Sequence, residues 1–133
     1  MKYLDANVWV YALMAKDQDP KRVRALELIE MEPVLVSLQV INEVCRVLTK
    51  KGNASEERVR SVIYGFYRQY SILQVGEEDL MKASELRERY RLSFWDGIHV
   101  AVALRSSATI LYSEDMHDGL IVEGTLTIRN PFR

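Results

Sequence analysis

Four acidic residues stand where strand-like segments give way to helices or loops, and carboxylates in such places can bind a cation. These residues are Asp5, Glu43, Asp96 and Asp115. In an open α/β sheet, residues at the carboxyl ends of parallel strands converge on one crevice. Because four ionised carboxylates repel one another when they lie close together, the pattern points to a divalent metal ion among them.

Each of these acids also has an ordinary structural interpretation. Asp5 could cap a helix, but Asn7 is predicted to be the better placed N-cap and would leave Asp5 free. Glu43 borders the apolar face of its helix and could be a solvated edge residue. Asp96 fits a capping box in the first turn of a helix, and Asp115 shares a polar loop with two other acids. Because acidic residues recur at the ends of four elements that are far apart in the sequence, a common site is favoured.

The segments predicted along the chain alternate between strands and helices. Strand-like runs occur at residues 1–4, 34–36, 71–75, 109–112 and 125–128. Helical patterns occur at residues 7–13, 22–31, 37–51, 55–70, 77–90 and 98–104, and the last is apolar on almost every face. This alternation predicts one α/β domain over residues 1–133, with a mostly parallel sheet of about five strands flanked by helices.

The bulk composition narrows the class of protein. The net charge of −1 and the pI of about 6.1 argue against a domain that grips nucleic acid by overall positive charge. They leave room for an enzyme that acts on a phosphodiester through a bound cation. One cysteine, Cys45, gives no internal disulfide and suits a reducing compartment. With no apolar run near the ~20 residues of a membrane span, we expect a cytoplasmic protein with no membrane contact.

Several of these segments together resemble the signature of PIN domains. They are Asp5-Ala6-Asn7 after a four-residue strand, Asn42-Glu43 early in a helix, residues 94–103 (FWDGIHVAVA), Ser113-Glu114-Asp115, and the ending at residues 128–132. The length and the order of elements resemble the small bacterial and archaeal PIN ribonucleases of the VapC type, which are toxins of toxin–antitoxin pairs. The resemblance covers the whole chain.

The resemblance implies a function and a set of site residues. The metal-binding acids of the family would be Asp5, Glu43, Asp96 and Asp115, and their polar partners would be Asn7 and Ser113. Such proteins cut single-stranded RNA with Mg²⁺ or Mn²⁺ and are inhibited by a small cognate antitoxin. We also expect a homodimer.

The expected reaction is in-line hydrolysis of an RNA phosphodiester by metal-activated water. Asp5 and Asp96 would be the principal ligands, and Asp115 would bind directly or through water. Glu43 would position the water or hold a second ion, since the spacing does not decide between one ion and two. Asn7 and Ser113 would orient the carboxylates.

A few other residues invite a functional interpretation. Arg46 and Lys50 share a helical face and could guide RNA, although a solvated helix end is as good an explanation. Trp95 could stack on a base, but a packed core indole is favoured. His99 is expected to be a hydrogen-bonded core residue, and Asp118 has no assigned role. The apolar stripe at 59–67 is expected to pack on the sheet, and part of it could receive an antitoxin helix or a second copy.

Three other functions remain open from the sequence. A DNA nuclease or structure-specific nuclease could use the same acids. A catalytically inactive PIN-fold binding module would keep the fold without the reaction, although four retained and mutually repelling acids argue against it. A phosphate-accepting receiver domain would need paired acids near the first strand, where Asp5 stands alone.

Overall fold

The computed structural model describes residues 1–31 and 33–133. Six strands occur within them: β1 (Lys2–Leu4), β2 (Val34–Ser37), β3 (Ile72–Leu73), β4 (Ile110–Tyr112), β5 (Ile121–Val122) and β6 (Leu126–Arg129). The helices of the same residues are α1 (Ala6–Met14), α2 (Pro20–Met31), α3 (Leu38–Lys50), α4 (Glu56–Gln69), α5 (Glu77–Tyr90) and α6 (Phe94–Arg105). The predicted α/β class is confirmed.

The strands form one sheet in the order β3-β2-β1-β4-β6-β5. All neighbouring pairs are parallel except β5 and β6, which are antiparallel. The chain moves outward from β1 to β2 and β3 on one side, and continues through β4 and β6 on the other. The boundary between β1 and β4 is therefore the switch point of the sheet, where α/β proteins bind ligands.

Strand β5 is the one described strand that the sequence analysis did not predict. It contains only two residues, of which Ile121 is exposed and Val122 is buried. Two residues are too few to produce a readable alternation of apolar and polar side chains. Its antiparallel pairing with β6 extends the sheet at the edge farthest from β3.

Helix α6 is the buried helix that the sequence predicts. Residues 97–103 are all buried, and α6 lies close against α5. A Cβ atom added at Gly97 would lie 2.7 Å from Arg87 Cγ and 3.1 Å from the carbonyl oxygen of Ala83. A side chain at this position would require Arg87 and the carbonyl group of Ala83 to shift, so the glycine allows the N-terminus of α6 to lie close to α5.

An ion pair holds the other end of α6. Arg105 donates to both carboxylate oxygens of Asp79 on α5, at 2.7 Å and 3.2 Å. Burial acts to raise the pKa of Asp79, but the bonds from Arg105 and from the backbone N–H of Gly76 hold that pKa below its ordinary value. These contacts hold both ends of α6 in place. The helix therefore provides a fixed backbone for the side chains that it contributes to the site.

Among the described residues, no helix has both the length and the apolar character needed to cross a membrane.

Candidate metal centre

All four acids predicted from the sequence line one open cleft of about 410 Å³. Asp5 directly follows β1, Glu43 lies in the second turn of α3, Asp96 lies in the first turn of α6, and Asp115 lies in the loop after β4. The cleft lies at the switch point of the sheet, because the ends of β1 and β4 both reach it. Four chain-distant segments therefore bring their carboxylates to one place.

Asp5 is 5% exposed and is itself the N-cap of α1. Its Oδ1 accepts a hydrogen bond from the N–H of Ala6 at 2.7 Å. The prediction that Asn7 caps this helix is wrong, because the chain turns from strand to helix immediately after Asp5 and Asn7 already lies in the first turn. Burial raises the pKa of Asp5, while His99 and the hydroxyl of Ser113 act in the opposite direction.

Ser113 connects two of the acids. Its buried hydroxyl donates to Oδ2 of Asp5 at 2.7 Å and accepts from the backbone N–H groups of Asp115 at 3.1 Å and Met116 at 3.3 Å. Both lone pairs and the proton of the hydroxyl are therefore used. The serine holds the carboxylate of Asp5 and shapes the loop that carries Asp115.

Asn7 contacts the fourth acid. Its Nδ2 donates to Oδ2 of Asp115 at 2.9 Å, and the side chain lines the cleft. Its Oδ1 is shielded from solvent and has no hydrogen-bond partner among the described residues. A shielded acceptor without a partner is costly unless a cation or a water molecule satisfies it.

His99 is the residue of this site that sequence reasoning missed. It is 0% exposed, as predicted for a buried and hydrogen-bonded histidine. Its Nε2 forms a close hydrogen bond with Oε2 of Glu43 and lies 3.5 Å from Oδ1 of Asp5. A usable signal was its position three residues after Asp96, since residues at that spacing share a helix face.

The charges around His99 change the electrostatics of the cluster. Burial acts to lower the pKa of His99, but the hydrogen bond with Glu43 and the charges of Asp5, Glu43 and Asp96 together raise it. The imidazole therefore offsets part of the repulsion among the acids. A divalent ion is not the only group that can do so, which corrects the first argument drawn from the sequence.

The three acids of this loop have different partners, although Glu114 lines the cleft together with Asp115. Glu114 forms a close ion pair with Lys21 and accepts a hydrogen bond from the hydroxyl of Tyr11 at 2.6 Å. Burial acts to raise the pKa of Glu114, but these bonds hold it below its ordinary value. Asp118 accepts from the N–H of Asn130 at 2.9 Å and lies outside the acidic cleft. Oδ2 of Asp118 lies 3.8 Å from the guanidinium of Arg133. Of the three acids, only Asp115 therefore keeps a carboxylate oxygen with neither a hydrogen bond nor an ion pair to the described residues.

The remaining oxygen atoms fit a divalent metal ion. In the described part of the chain, the carboxylate of Asp96, Oε1 of Glu43 and Oδ1 of Asp115 have no hydrogen-bond partner. One ligand atom from each of Asp5, Glu43 and His99 lies within 4.8 Å of the others. Carboxylate and amide oxygens suit hard ions of the Mg²⁺ type, and an imidazole is also accepted by transition ions. The cluster can therefore bind a divalent metal.

A second groove of about 580 Å³ runs beside the acidic cleft and shares Glu43 and Val47 with it. Arg46 and Trp95 also line this groove. Trp95 is 55% exposed, so the favoured interpretation of a packed core indole is wrong. Its ring packs edge-to-face on Phe94 at 5.0 Å instead. The uniformly apolar pattern of α6 concealed this, because its first two residues precede the buried part of the helix.

The basic residues of α3 separate into different positions. The guanidinium of Arg46 is exposed and forms no hydrogen bond or ion pair with the described residues. Lys50 is exposed but lines neither groove, whereas Lys51, the next residue, lines the acidic cleft. Of these three basic residues, Arg46 and Lys51 therefore line the two grooves, and Lys50 does not.

The fold and this arrangement agree with a family model. Residues 2–117 match the PIN domain, so the chain belongs to the PIN domain family. No curated protein matches the chain in sequence.

Solved structures of toxin–antitoxin proteins share the fold. A toxin–antitoxin complex from Klebsiella pneumoniae is similar at 22% identity and a TM-score of 0.72, with 98% of each chain covered. VapC20 of Mycobacterium tuberculosis, a sarcin–ricin loop cleaving toxin, is similar at 19% identity and a TM-score of 0.66, covering 84% of this chain and 87% of that one. VapBC2 from Rickettsia felis, bound to a DNA fragment from its promoter, is similar at 19% identity and a TM-score of 0.67, covering 98% and 100%.

Proposed function

We propose that this PIN domain, spanning residues 1–133, is a Mg²⁺- or Mn²⁺-dependent endoribonuclease that cuts single-stranded RNA in the cytoplasm, and that it is the toxin of a toxin–antitoxin pair. The observation that carries the proposal is the convergence of four chain-distant carboxylates on one cleft, with several of their oxygens lacking partners among the described residues. The RNA cleavage described for VapC20 supports the choice of substrate.

In the proposed reaction, Asp5 and Asp96 would hold the ion, and Asp115 would be a further ligand, directly or through water. When bound, the ion would supply a polarised phosphoryl oxygen and a water molecule of lowered pKa. Oε1 of Glu43 would accept a hydrogen bond from the attacking water and so position it. Asn7 and Ser113 keep the carboxylates of Asp115 and Asp5 in their orientations.

The proposal is tested by incubating purified protein with an end-labelled single-stranded RNA in Mg²⁺, in Mn²⁺ or in EDTA. The protein should first be unfolded and refolded, so that any co-purified inhibitor is removed. Cleavage that needs the metal and spares duplex RNA and single-stranded DNA supports a single-strand ribonuclease. Cleavage of the DNA instead would favour a DNA nuclease, and no cleavage of any substrate by folded protein would favour an inactive binding module.

We further propose that the RNA strand passes over the second groove on its way to the acids. Trp95 offers an exposed ring for an unpaired base, and Arg46 offers its exposed guanidinium for a phosphate. Lys51 would meet the phosphate nearer the cleft, and Lys50 would contribute only long-range attraction. Exposed aromatic rings and cations in one groove are typical of single-strand binding.

Replacing Trp95 by alanine should raise the KM for RNA by about 5- to 150-fold, because stacking on an aromatic ring is worth about 1–3 kcal/mol per base. The effect on kcat should be small, since the acids stay in place. Arg46→Ala should also raise KM, and Arg60→Ala, on the exposed face of α4, is the matched control. A change in oligomeric state of Trp95→Ala, with KM unchanged, would instead assign this surface to a second copy of the chain.

For the antitoxin surface we propose the region between α1 and α4. A groove of about 220 Å³ there is lined by Trp9, Phe66 and Tyr70, among others, and Ile63 and Tyr67 are exposed nearby on α4. The indole N–H of Trp9 is buried and has no hydrogen-bond partner among the described residues. An amphipathic antitoxin helix with a polar group opposite Trp9 would fit this groove. The homodimer would use a different face.

A further inference from the structure

A buried network of hydrogen bonds connects the sheet to the acidic residues. The hydroxyl of Tyr3 on β1 lies 2.7 Å from Oγ of Ser37 and 2.7 Å from Nδ1 of His99. Nε2 of His99 then contacts Oε2 of Glu43. Tyr3, Ser37 and His99 are each 0% exposed. The network therefore joins three fully buried polar side chains to a carboxylate of the candidate metal site.

The hydrogen bonds of this network have a preferred direction from donor to acceptor. Oγ of Ser37 accepts from the N–H of Val40 at 3.2 Å, as the N-cap of α3. Ser37 can donate its own proton to the Tyr3 hydroxyl, which leaves the phenol proton for Nδ1 of His99. With Nδ1 as the acceptor, the imidazole carries its own proton on Nε2. The N–H then faces Oε2 of Glu43 and, 3.5 Å away, Oδ1 of Asp5.

Glu43 needs such support more than Asp5 does. Asp5 is held by Ala6 and Ser113. Glu43 has a longer side chain, which is 30% exposed and rests on Gln39 and His99. Both of these partners contact Oε2. Oε1 is thereby left for the ion or for the attacking water.

We propose that Tyr3 and His99 are positioning residues, which hold the carboxylates of Glu43 and Asp5 in the geometry that binds the metal. This inference rests on the proposed function for its catalytic consequence but not for its effect on metal binding. His99 acts through the two carboxylates, and Tyr3 acts through His99. Groups that orient metal ligands in this way typically change metal affinity or activity by about 10- to 100-fold when they are replaced.

The test compares three variants of the full chain with the wild type. His99→Leu removes both ring nitrogens, His99→Gln keeps an N–H at a similar reach, and Tyr3→Phe removes only the phenol hydroxyl. We expect His99→Leu to weaken Mn²⁺ binding, measured by calorimetry, by about 10- to 100-fold. His99→Gln should recover much of that affinity, and Tyr3→Phe should show a smaller loss.

A destabilised control separates positioning from simple loss of stability. Asp79→Asn breaks the ion pair between α5 and α6, and Asp79 is not part of the buried hydrogen-bond network. This variant should therefore have a lower melting temperature, while the Mn²⁺ affinity of the folded protein should be unchanged. At saturating Mn²⁺, Tyr3→Phe and His99→Gln should lower kcat for RNA and leave KM unchanged.

Unchanged Mn²⁺ affinity in folded His99→Leu would overturn the inference, as would equal losses in His99→Leu and His99→Gln. If His99→Leu does not fold, Tyr3→Phe decides the question, and wild-type affinity in it is then the contrary result. A failure of the ribonuclease proposal alone would give a different result. The wild type would then bind Mn²⁺ and the variants would bind it more weakly, but none of these proteins would cut RNA. A wild type that binds no Mn²⁺ would contradict both.

Discussion

Replacing Asp96 by asparagine should reduce metal-dependent cleavage of single-stranded RNA by about a thousandfold or more, while the fold is kept. A metal ion contributes several kcal/mol to stabilising the transition state, and each ~1.4 kcal/mol corresponds to a factor of ten. The fold should survive because the carboxylate of Asp96 has no hydrogen-bond partner among the described residues. Its backbone N–H, rather than its side chain, meets the cap residue Ser93.

Asp118→Asn is the matched control for this experiment. Asp118 lies in the same loop as Asp115 but outside the acidic cleft, and an asparagine keeps the oxygen that accepts from Asn130. The rates should be measured under single-turnover conditions, with circular dichroism to establish folding. Equal loss of cleavage in Asp96→Asn and Asp118→Asn would contradict a role for the cleft.

Asp5→Asn is a less informative variant, although Asp5 is the most buried of the four acids. The hydroxyl of Ser113 donates to Oδ2 of Asp5 and uses both lone pairs to accept from Asp115 and Met116. An amide nitrogen in place of Oδ2 would face a donor and find no acceptor. Asp5→Asn should therefore lose about 1–3 kcal/mol of stability as well as activity.

The second large effect expected is stabilisation of the wild type by metal. Mg²⁺ or Mn²⁺ at about 100 times its dissociation constant should raise the free energy of unfolding by about 2.7 kcal/mol. For a domain of this size, that corresponds to a rise in melting temperature of roughly 5–10 °C. Asp96→Asn should lose most of this rise, and Asp118→Asn should keep it.

A thermal melt monitored by circular dichroism measures the effect, with NaCl of equal ionic strength as the control for screening. The rise should shrink as the pH falls. Burial raises the pKa of Asp5, so protons begin to compete with the metal for this carboxylate at a higher pH than for an exposed aspartate. A melting temperature that does not change at saturating metal would count against a shared ion in the cleft.

The parts of the site that lie at the ends of regular elements could be predicted from the sequence. Asp5 and Asp115 follow apolar strands, Glu43 and Asp96 lie early in helices, and parallel strands bring such ends together. The choice of N-cap for α1 could not be predicted reliably. Asp5 and Asn7 are both good capping residues, and the outcome depends on the residue at which β1 ends.

Contacts between segments that are distant in the sequence could not be predicted from it. The partner of His99 is Glu43, 56 residues away on another helix, and no local pattern indicates that pairing. Trp95 is exposed because it lies in the first turn of α6, before the buried residues of the helix begin at Gly97, and no local pattern indicates where that burial begins. Strand β5 forms because β6 is available to pair with it, and its two residues carry no periodic signal of their own.

The central claim is that an ion held by the acidic cleft acts on the phosphate of a single-stranded RNA. The most direct measurement replaces a non-bridging oxygen of the cleaved phosphodiester by sulfur and compares cleavage rates in Mg²⁺ and Mn²⁺. Because Mg²⁺ prefers oxygen ligands and Mn²⁺ accepts sulfur more readily, one sulfur diastereomer should be cut much more slowly in Mg²⁺ and recover its rate in Mn²⁺. Equal rates in both ions for both diastereomers would contradict direct contact between the metal and the phosphate.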